Sequence, residues 1–286
     1  MRTIVFTMAY NEAENIGRWV DYYTRQLGPD STLIVDNASD DESVEIIRRN
    51  RNILYPKMVF SNNLRASFCS ELANSLLLLY DVVIYTDADE FLVANPAKFE
   101  NLAHFLRERP GSGYTPIGFD LVHMIGEEPE CPADAPFLRY RKHLKPVKAL
   151  CKPLITRRPV KWGGAFHTSD AVPVFDEDLW MFHTKSADFE RRLRRQAITR
   201  KVVRDDNSGA HQRWDDETLR ANFNGLRQEP RRPFTAEARQ ELAARLTRMV
   251  QRKYFEQVDI VKYGLDPDVG LERGVLRLED GFPELL

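Results

Sequence analysis

The chain has 286 residues, of which 43% are hydrophobic and 29% charged, and its 41 Lys and Arg nearly balance its 43 Asp and Glu, giving a formal net charge of −2. This composition is that of an ordinary folded protein rather than a disordered, collagen-like or membrane-spanning one. Without an excess of positive charge, the chain has no global basic field that would draw it to nucleic acid.

The cysteines and the apolar runs predict a cytoplasmic protein. Cys69, Cys131 and Cys151 are odd in number and form no CxxC motif, so neither a disulfide framework nor a zinc module is indicated, and a reducing compartment fits best. The N-terminal apolar run is shorter than that of a signal peptide. The longest uncharged apolar stretch, residues 72–80, is too short to span a bilayer.

Strands and helices alternate along the first third of the chain. β-branched runs predict strands and residues at helical spacing predict helices: strand 3–8, helix 11–27, strand 31–36, helix 41–50, strand 57–60, helix 67–79 and strand 82–86. This rhythm favours an α/β fold, a Rossmann-like and mostly parallel sheet flanked by helices.

The pattern changes after about Pro110. Strands are predicted at 113–121, 152–156 and 160–162, helices at 188–204 and 235–255, and a loop-rich segment at 209–232. We therefore expect an α/β domain over residues 1–186 and a helical C-terminal extension over 187–286, packed on the same domain.

Three predicted strands end in polar clusters, namely Tyr10-Asn11-Glu12, Asp36-Asn37 and Asp87-Ala88-Asp89. In open parallel sheets, ligands bind at the carboxyl ends of the strands. One pocket is therefore expected to gather all three clusters.

Asp87 and Asp89 follow an apolar strand directly. Two carboxylates two residues apart can bind one hard divalent cation, and that cation can stabilise charge developing on a departing diphosphate. The alternative is a helix N-cap, a position that Asp favours. Asp36 leaves a similar choice open, between a hydrogen bond to a nucleobase or ribose and a cap of the following helix.

Together these motifs resemble a GT-A-fold glycosyltransferase of the family-2-like group, in the subset with Asp-x-Asp-Glu-Phe. The resemblance is carried by Met8-Ala9-Tyr10-Asn11-Glu12 with Asn15-Ile16, by residues 34–41, and by Tyr85-Thr86-Asp87-Ala88-Asp89-Glu90-Phe91. It is strong over residues 1–92 and looser to about Ser186.

The resemblance implies a nucleotide-sugar donor, with a UDP-sugar expected, and Mn²⁺ or Mg²⁺ on its diphosphate. Ala9, Asn11 and Glu12 would flank the nucleotide and Asp36 the base. Asp87 and Asp89 would hold the ribose and the metal.

Further residues extend this prediction beyond the Asp-x-Asp motif. Members of this subset often carry histidines further on, and His167 and His183 are such residues. A neutral imidazole can complete a metal site beside Asp89, although a structural histidine is the alternative for each. Lys185 is a candidate phosphate contact, and Arg65 matches a region that often contacts the diphosphate.

The catalytic base remains open among three carboxylates. Enzymes of this group are expected to invert the anomeric centre, which needs a carboxylate to deprotonate the acceptor hydroxyl. The usual acidic motif is not recognisable, so Asp120, Asp170 and Glu90 are the candidates.

A basic helix is predicted over 189–204. Such a helix can contact an anionic membrane surface peripherally, where lipid-linked acceptors reside. A solvated helix face is the favoured alternative, and no nucleic-acid-binding module accompanies the charge.

The sequence thus predicts a metal-dependent glycosyltransferase acting on a glycan or lipid-linked acceptor. A nucleotidyltransferase would need a Gly-rich loop after the first strand, and residues 8–14 contain no glycine. A dehalogenase-type phosphatase would carry Asp-x-Asp after its first strand, not its fourth. A degenerate transferase fold that only binds a sugar nucleotide or a protein remains the alternative.

Overall fold

A computed structural model describes residues 1–57, 59–203, 210–255, 260–266, 268–271 and 274–286. Their strands are β1 (Thr3–Ala9), β2 (Thr32–Asp36), β3 (Asn52–Leu54), β4 (Val82–Tyr85), β5 (Glu90–Ala94), β6 (Gly113–Val122), β7 (His143–Pro146), β8 (Ile155–Thr156), β9 (Thr168–Ser169), β10 (Phe175–His183), β11 (Arg231–Pro233), β12 (Val250–Phe255), β13 (Ile260–Leu265) and β14 (Val275–Arg277). Their α-helices are α1 (Ile16–Leu27), α2 (Ser43–Arg49), α3 (Asn62–Leu76), α4 (Leu102–Glu108), α5 (Phe137–Tyr140), α6 (Phe189–Thr199), α7 (Asp216–Leu226) and α8 (Ala236–Arg248).

The predicted α/β fold class is confirmed: a large central sheet is flanked by helices. The strands β3, β2, β1 and β4 lie side by side and pair in parallel. The strands β1, β2 and β4 are almost entirely buried because their apolar runs face helices on both sides. Their carboxyl ends therefore meet at one edge of the sheet.

The other half of the sheet contains antiparallel strands. It continues from β4 through β8, β6, β7, β14 and β11, and β10 pairs in parallel with β6 and antiparallel with β5. In these pairings the last residue of β10, His183, lies opposite Glu90 of β5 and Asp120 of β6. Neither β5 nor β10 was predicted from the sequence. The pairing of β10 with β5 and β6 places its last residues at the edge of the parallel strands.

Helix α1 fixes the loop that follows β4. Trp19 donates from its indole nitrogen to the Thr86 hydroxyl at 2.8 Å, and the Tyr23 hydroxyl donates to the Glu90 carbonyl oxygen at 3.0 Å. Both aromatic side chains are fully buried. The Asp-x-Asp loop is thus tied to the core at both of its ends.

Several predicted bounds in the first half are wrong. The third strand is Asn52–Leu54 rather than 57–60, because it is an exposed edge strand whose position is set by pairing with β2. Helix α1 begins at Ile16 rather than residue 11. Helix α3 begins at Asn62 rather than residue 67, because Ser61 caps it by accepting from the Leu64 amide at 3.2 Å.

The segment after residue 186 is not purely helical. Strands β14 and β11 extend the central sheet through β7, while β12 and β13 form a second sheet with β9. Helix α8 ends at Arg248 because the chain continues into β12, although a helix was predicted to residue 255. Helix α7 lies inside the predicted loop-rich segment, whose first residue, Gly209, lies outside the described residues, as does Arg204 at the end of the predicted basic helix.

Two predicted strands between residues 150 and 165 are shorter or absent. Only Ile155–Thr156 is a strand within 152–156, and Trp162 forms an isolated bridge with Ser169 in place of a strand at 160–162. Within the described part of the chain, no helix is both long and apolar enough to cross a membrane.

Candidate functional site

A cavity of about 1340 Å³ opens at the carboxyl edge of the parallel strands. It is lined by ten of the residues singled out in the sequence: Ala9, Asn11, Glu12, Arg65, Asp87, Asp89, Glu90, His167, His183 and Lys185. The expectation that one pocket gathers the strand-end clusters therefore has a structural counterpart, while the role of each residue remains a prediction.

The loops after β1 and β2 are joined by hydrogen bonds. Asn11 donates from its side-chain nitrogen to Asp40 Oδ1 at 2.7 Å, and its Oδ1 accepts from the Asp40 amide at 2.9 Å. Its own amide donates to the Ser39 hydroxyl at 3.1 Å. The backbone of Asn11 has a φ of 53°, a left-handed conformation that Asn tolerates better than most residues.

The structure places Asp36 and its neighbour Asn37 differently with respect to the cavity. The Oδ1 atom of Asp36 accepts from the Ser39 amide at 3.0 Å, and its side chain is 8% exposed and absent from the described lining of the cavity. Asn37 lines the cavity instead, and its buried Oδ1 has no hydrogen-bond partner among the described residues. Asp36 thus shapes the loop, and Asn37 is the residue of the pair that lines the cavity. Its position directly after the strand was the only sequence signal for it.

Asp87 is surrounded by donors. Its Oδ1 accepts from the Tyr85 hydroxyl at 2.7 Å and from the Arg65 guanidinium at 2.5 Å, and its Oδ2 accepts from the Lys152 ammonium at 3.1 Å. Although burial alone would raise it, Arg65 and Lys152 hold the pKa of Asp87 well below its usual range. The side chain is therefore a fixed anion with little capacity left for a further ligand.

Glu90 forms a buried ion pair with Lys152. The ammonium donates to Glu90 Oε1 at 2.5 Å, and Glu90 Oε2 accepts from the Asp87 amide at 3.2 Å. Glu90 is 1% exposed, and burial raises its pKa. Because both of its oxygens are already engaged, Glu90 is poorly placed to act as the base.

Asp89, His183 and Asp120 form a row at the end of β10. His183 Nε2 lies 3.2 Å from Asp89 Oδ2, and His183 Nδ1 lies 2.5 Å from Asp120 Oδ1. Burial alone would lower the pKa of His183, but the two carboxylates raise it to about 10. The Thr184 amide donates to the Asp89 carbonyl oxygen at 2.8 Å, which ties the end of β10 to the Asp-x-Asp loop.

Near pH 7 the protonated Nε2 of His183 faces Asp89 Oδ2, and the spacing of these two atoms fits a divalent cation that displaces this proton and binds together with a diphosphate. Two ligands, each about 2.1 Å from one ion and at right angles, lie roughly 3 Å apart, close to the 3.2 Å between Asp89 Oδ2 and His183 Nε2. No group of three His, Cys, Asp or Glu side chains in the described part of the chain is arranged to hold a metal by itself. Magnesium-type sites commonly use one or two protein ligands and substrate phosphates.

Lys185 presents a cation to the cavity. Its ammonium makes no hydrogen bond or ion pair to the described residues, and burial lowers its pKa to about 8. A partly desolvated ammonium without a partner is a favourable contact for a phosphate. The structure therefore leaves Lys185 free for the role predicted from the sequence.

His167 also lines the cavity but differs from His183 in charge. Desolvation, followed by the positive Lys152, lowers the pKa of His167 to about 4, so the ring is neutral near pH 7. This pKa lies below the ordinary histidine value of about 6.5.

Helix α6 covers one side of the cavity. Arg195 donates to the Asn11 carbonyl oxygen at 2.6 Å and pairs with Glu12, and Arg194 pairs with Glu14 at 2.8 Å. Burial raises the pKa of Glu12 to about 7 despite the contact with Arg195. Two of the basic side chains thus bind the loop after β1, which supports neither membrane contact nor a wholly solvated face.

Asp170 lies apart from this cluster. It is exposed, its carboxylate accepts from the Lys161 amide at 2.7 Å, and it is not among the described residues that line the cavity. Of the three candidate bases, Asp170 is therefore remote, Glu90 is held by Lys152, and Asp120 contacts His183.

No protein-family model matches the chain, and no curated protein matches it in sequence. Among solved structures, S. aureus TarS 1–349 in complex with UDP has 13% identity, a TM-score of 0.35, and coverage of 78% of this chain and 70% of that one. The mannosyltransferase PcManGT from Pyrobaculum calidifontis, in complex with GDP-Man and Mn²⁺, has 17% identity, a TM-score of 0.29, and coverage of 71% and 53%. Mannose-1-phosphate geranyltransferase from Thermus thermophilus has 12% identity, a TM-score of 0.30, and coverage of 97% and 74%. Likenesses this weak transfer no activity or ligand to this chain.

Proposed function

We propose that the chain is a metal-dependent, inverting glycosyltransferase that moves a sugar from a nucleotide-sugar donor, a UDP-sugar in the first instance, to a hydroxyl of a glycan or lipid-linked acceptor. The observation that carries this proposal is the meeting of Asp87, Asp89, His183 and Lys185 with the loops after β1 and β2 around one cavity. The cavity has room for a nucleotide and a sugar, and its groups match the parts of such a donor.

Each part of the donor has a counterpart in the cavity. Asn37 would donate to the base from its side-chain nitrogen, because its Oδ1 is buried. Lys185 would contact the diphosphate as a point charge. Asp89 and His183 would hold the cation, which when bound would neutralise charge on the departing diphosphate. Arg65 and Lys152 would act indirectly, by keeping Asp87 ionised and fixed.

Thermal stabilisation tests the nucleotide part of this proposal. A ligand that binds only the folded state raises the melting temperature by mass action. We expect UDP or a UDP-sugar to raise it, and Mn²⁺ to increase the shift. A panel in which no nucleotide, with or without Mn²⁺, moves the melting temperature would contradict the proposal.

A second function, binding of a sugar nucleotide without transfer, is favoured by one observation. All three candidate bases are engaged with other groups or remote from the cavity. Release of free sugar or UDP from a UDP-sugar, followed over time, separates the two. Stabilisation by UDP-sugars without any turnover, with or without glycan acceptors, would favour the binding module.

A further inference from the structure

Asp120 and His183 are neighbours on paired strands. They are register partners in β6 and β10, and Asp120 Oδ1 lies 2.5 Å from His183 Nδ1. Their side chains are 25% and 14% exposed. On its other side His183 pairs in register with Glu90 of β5. Two strands therefore set the backbone of His183, and Asp120 sets the orientation of its ring.

The contact with Asp120 determines which ring nitrogen keeps its proton when a cation binds. An ionised carboxylate only accepts hydrogen bonds, so His183 Nδ1 must be the donor. Because its pKa is raised to about 10, His183 also carries a proton on Nε2 near pH 7; a cation that displaces this proton meets the Nε2 lone pair while Nδ1 keeps its proton. Nε2 is the atom that faces Asp89 Oδ2, at 3.2 Å. A lone pair and a carboxylate oxygen at that distance repel each other unless a proton or a cation lies between them.

We propose that Asp120 is a positioning residue rather than the base: it holds His183 with Nδ1 protonated, so that Nε2 and Asp89 Oδ2 together form the protein side of a divalent-cation site. This inference rests on the proposed function, because the remaining ligands of the cation are oxygens of the donor diphosphate. It also explains why Asp120 contacts His183 and is not among the described residues that line the cavity.

Two consequences distinguish this role from that of a base. A carboxylate that orients a metal-binding histidine typically contributes 10- to 100-fold, in approximate terms, to metal affinity. A base contributes to the rate of transfer and leaves cation affinity unchanged. Because the protein supplies only two ligands, Mn²⁺ and UDP should also each increase the affinity of the other by the same factor.

Calorimetry with UDP and Mn²⁺ on the full chain tests the proposal, using Asp120→Ala, Asp120→Asn and the matched control Asp170→Ala. We expect Asp120→Ala to lower Mn²⁺ affinity in the presence of UDP by roughly 10- to 100-fold. Asp120→Asn retains an acceptor oxygen and should lose less. Asp170→Ala should bind Mn²⁺ and UDP as the wild type does. The affinity for UDP without metal should stay within about twofold in all three, since ΔΔG below ~0.4 kcal/mol is expected where no contact is lost.

Metal-free melting curves show which variants fold. If Asp120→Ala does not fold, the comparison is made with Asp120→Asn, which is nearly isosteric. The proposal is overturned if both Asp120 variants bind Mn²⁺ with unchanged affinity; loss of transfer in the same variants would then identify Asp120 as a base. It is also overturned if wild-type UDP binding does not respond to Mn²⁺; the proposed nucleotide site then stands without a cation. Failure of the wild type to bind any nucleotide of the panel, with or without Mn²⁺, removes the proposed function and this inference with it.

Discussion

The two ends of the cavity are held together mainly by different interactions. At the β1–β2 end, the two loops are joined to each other by hydrogen bonds between polar groups, as between Asn11 and Asp40. The pair of Arg195 with Glu12 is the exception already described. At the β4–β10 end, charged groups from distant elements form buried ion pairs, as between Lys152 and Glu90, 62 residues apart. The first arrangement loses little when one side chain is removed. The second leaves an uncompensated charge, so its substitutions should be far more costly.

The largest effect on stability is expected from Lys152→Met. This change leaves Glu90, which is 1% exposed, without its cation. Breaking a buried pair by removing one partner typically costs about 3–5 kcal/mol. Urea unfolding measures the loss, and the double variant Lys152→Met with Glu90→Gln should recover part of it. A loss below about 1 kcal/mol, the value for an exposed pair, would show that the two ends do not differ in this way.

The next largest effect is on the affinity for UDP and concerns Lys185, at the β4–β10 end of the cavity. Lys185→Ala should weaken UDP binding by about 1.5–3 kcal/mol, the contribution of a hydrogen bond to a charged group, or ten- to more than a hundredfold. Its free energy of unfolding should not fall much, because the ammonium makes no hydrogen bond or ion pair to the described residues and burial outweighs the attraction of Asp89 and Asp120 in setting its pKa. Arg194→Ala, a basic residue directed at Glu14, is the matched control. Equal UDP affinities for the two variants would mean that Lys185 does not contact the diphosphate.

At the β1–β2 end, Asn37→Ala and Asp36→Ala should separate nucleotide binding from folding stability. Asn37→Ala loses an amide that faces the cavity, so UDP affinity should fall by about 1 kcal/mol, roughly fivefold. Asp36→Ala removes the acceptor for the Ser39 amide and should cost about 1 kcal/mol of folding stability, as a lost cap does, with a smaller change in UDP affinity. Calorimetry measures the UDP affinity of both variants, and urea unfolding measures their folding stability. The reverse pattern would return Asp36 to the role expected from the sequence.

A pH dependence of folding stability is expected at His167. Its folded-state pKa of about 4 lies below the ordinary 6.5. Between pH 4 and 6.5 the unfolded chain therefore binds a proton that the folded chain does not, so His167 lowers stability as pH falls through that window. His167→Asn should be less sensitive than the wild type when unfolding is compared at pH 5 and pH 7.5. The affinity for Mn²⁺ between pH 5.5 and 7.5 should not depend on His167; if His167→Asn flattens a pH-dependent affinity there, the ring is a ligand.

The local sequence was enough to predict most strands of the parallel half of the sheet. Buried β-branched runs predicted β1, β2 and β4 because strand formation there depends on apolar side chains adjacent in sequence. The sequence also showed that Asp87 and Asp89 come directly after a buried strand. Since carboxyl ends of parallel strands share an edge, the position of the cavity followed from the sequence.

Tertiary structure alone decided how the cavity is completed. That His183 meets both Asp120 and Asp89 depends on β10 pairing with β5 and β6, contacts between segments about 60 to 95 residues apart. Hydrophobic periodicity contains no information on such pairing. Nor could it show that Lys152 is used by Glu90, or that Asn37 rather than Asp36 faces the cavity. Those outcomes depend on which groups are brought near each side chain when the chain folds, and burial then sets their charge.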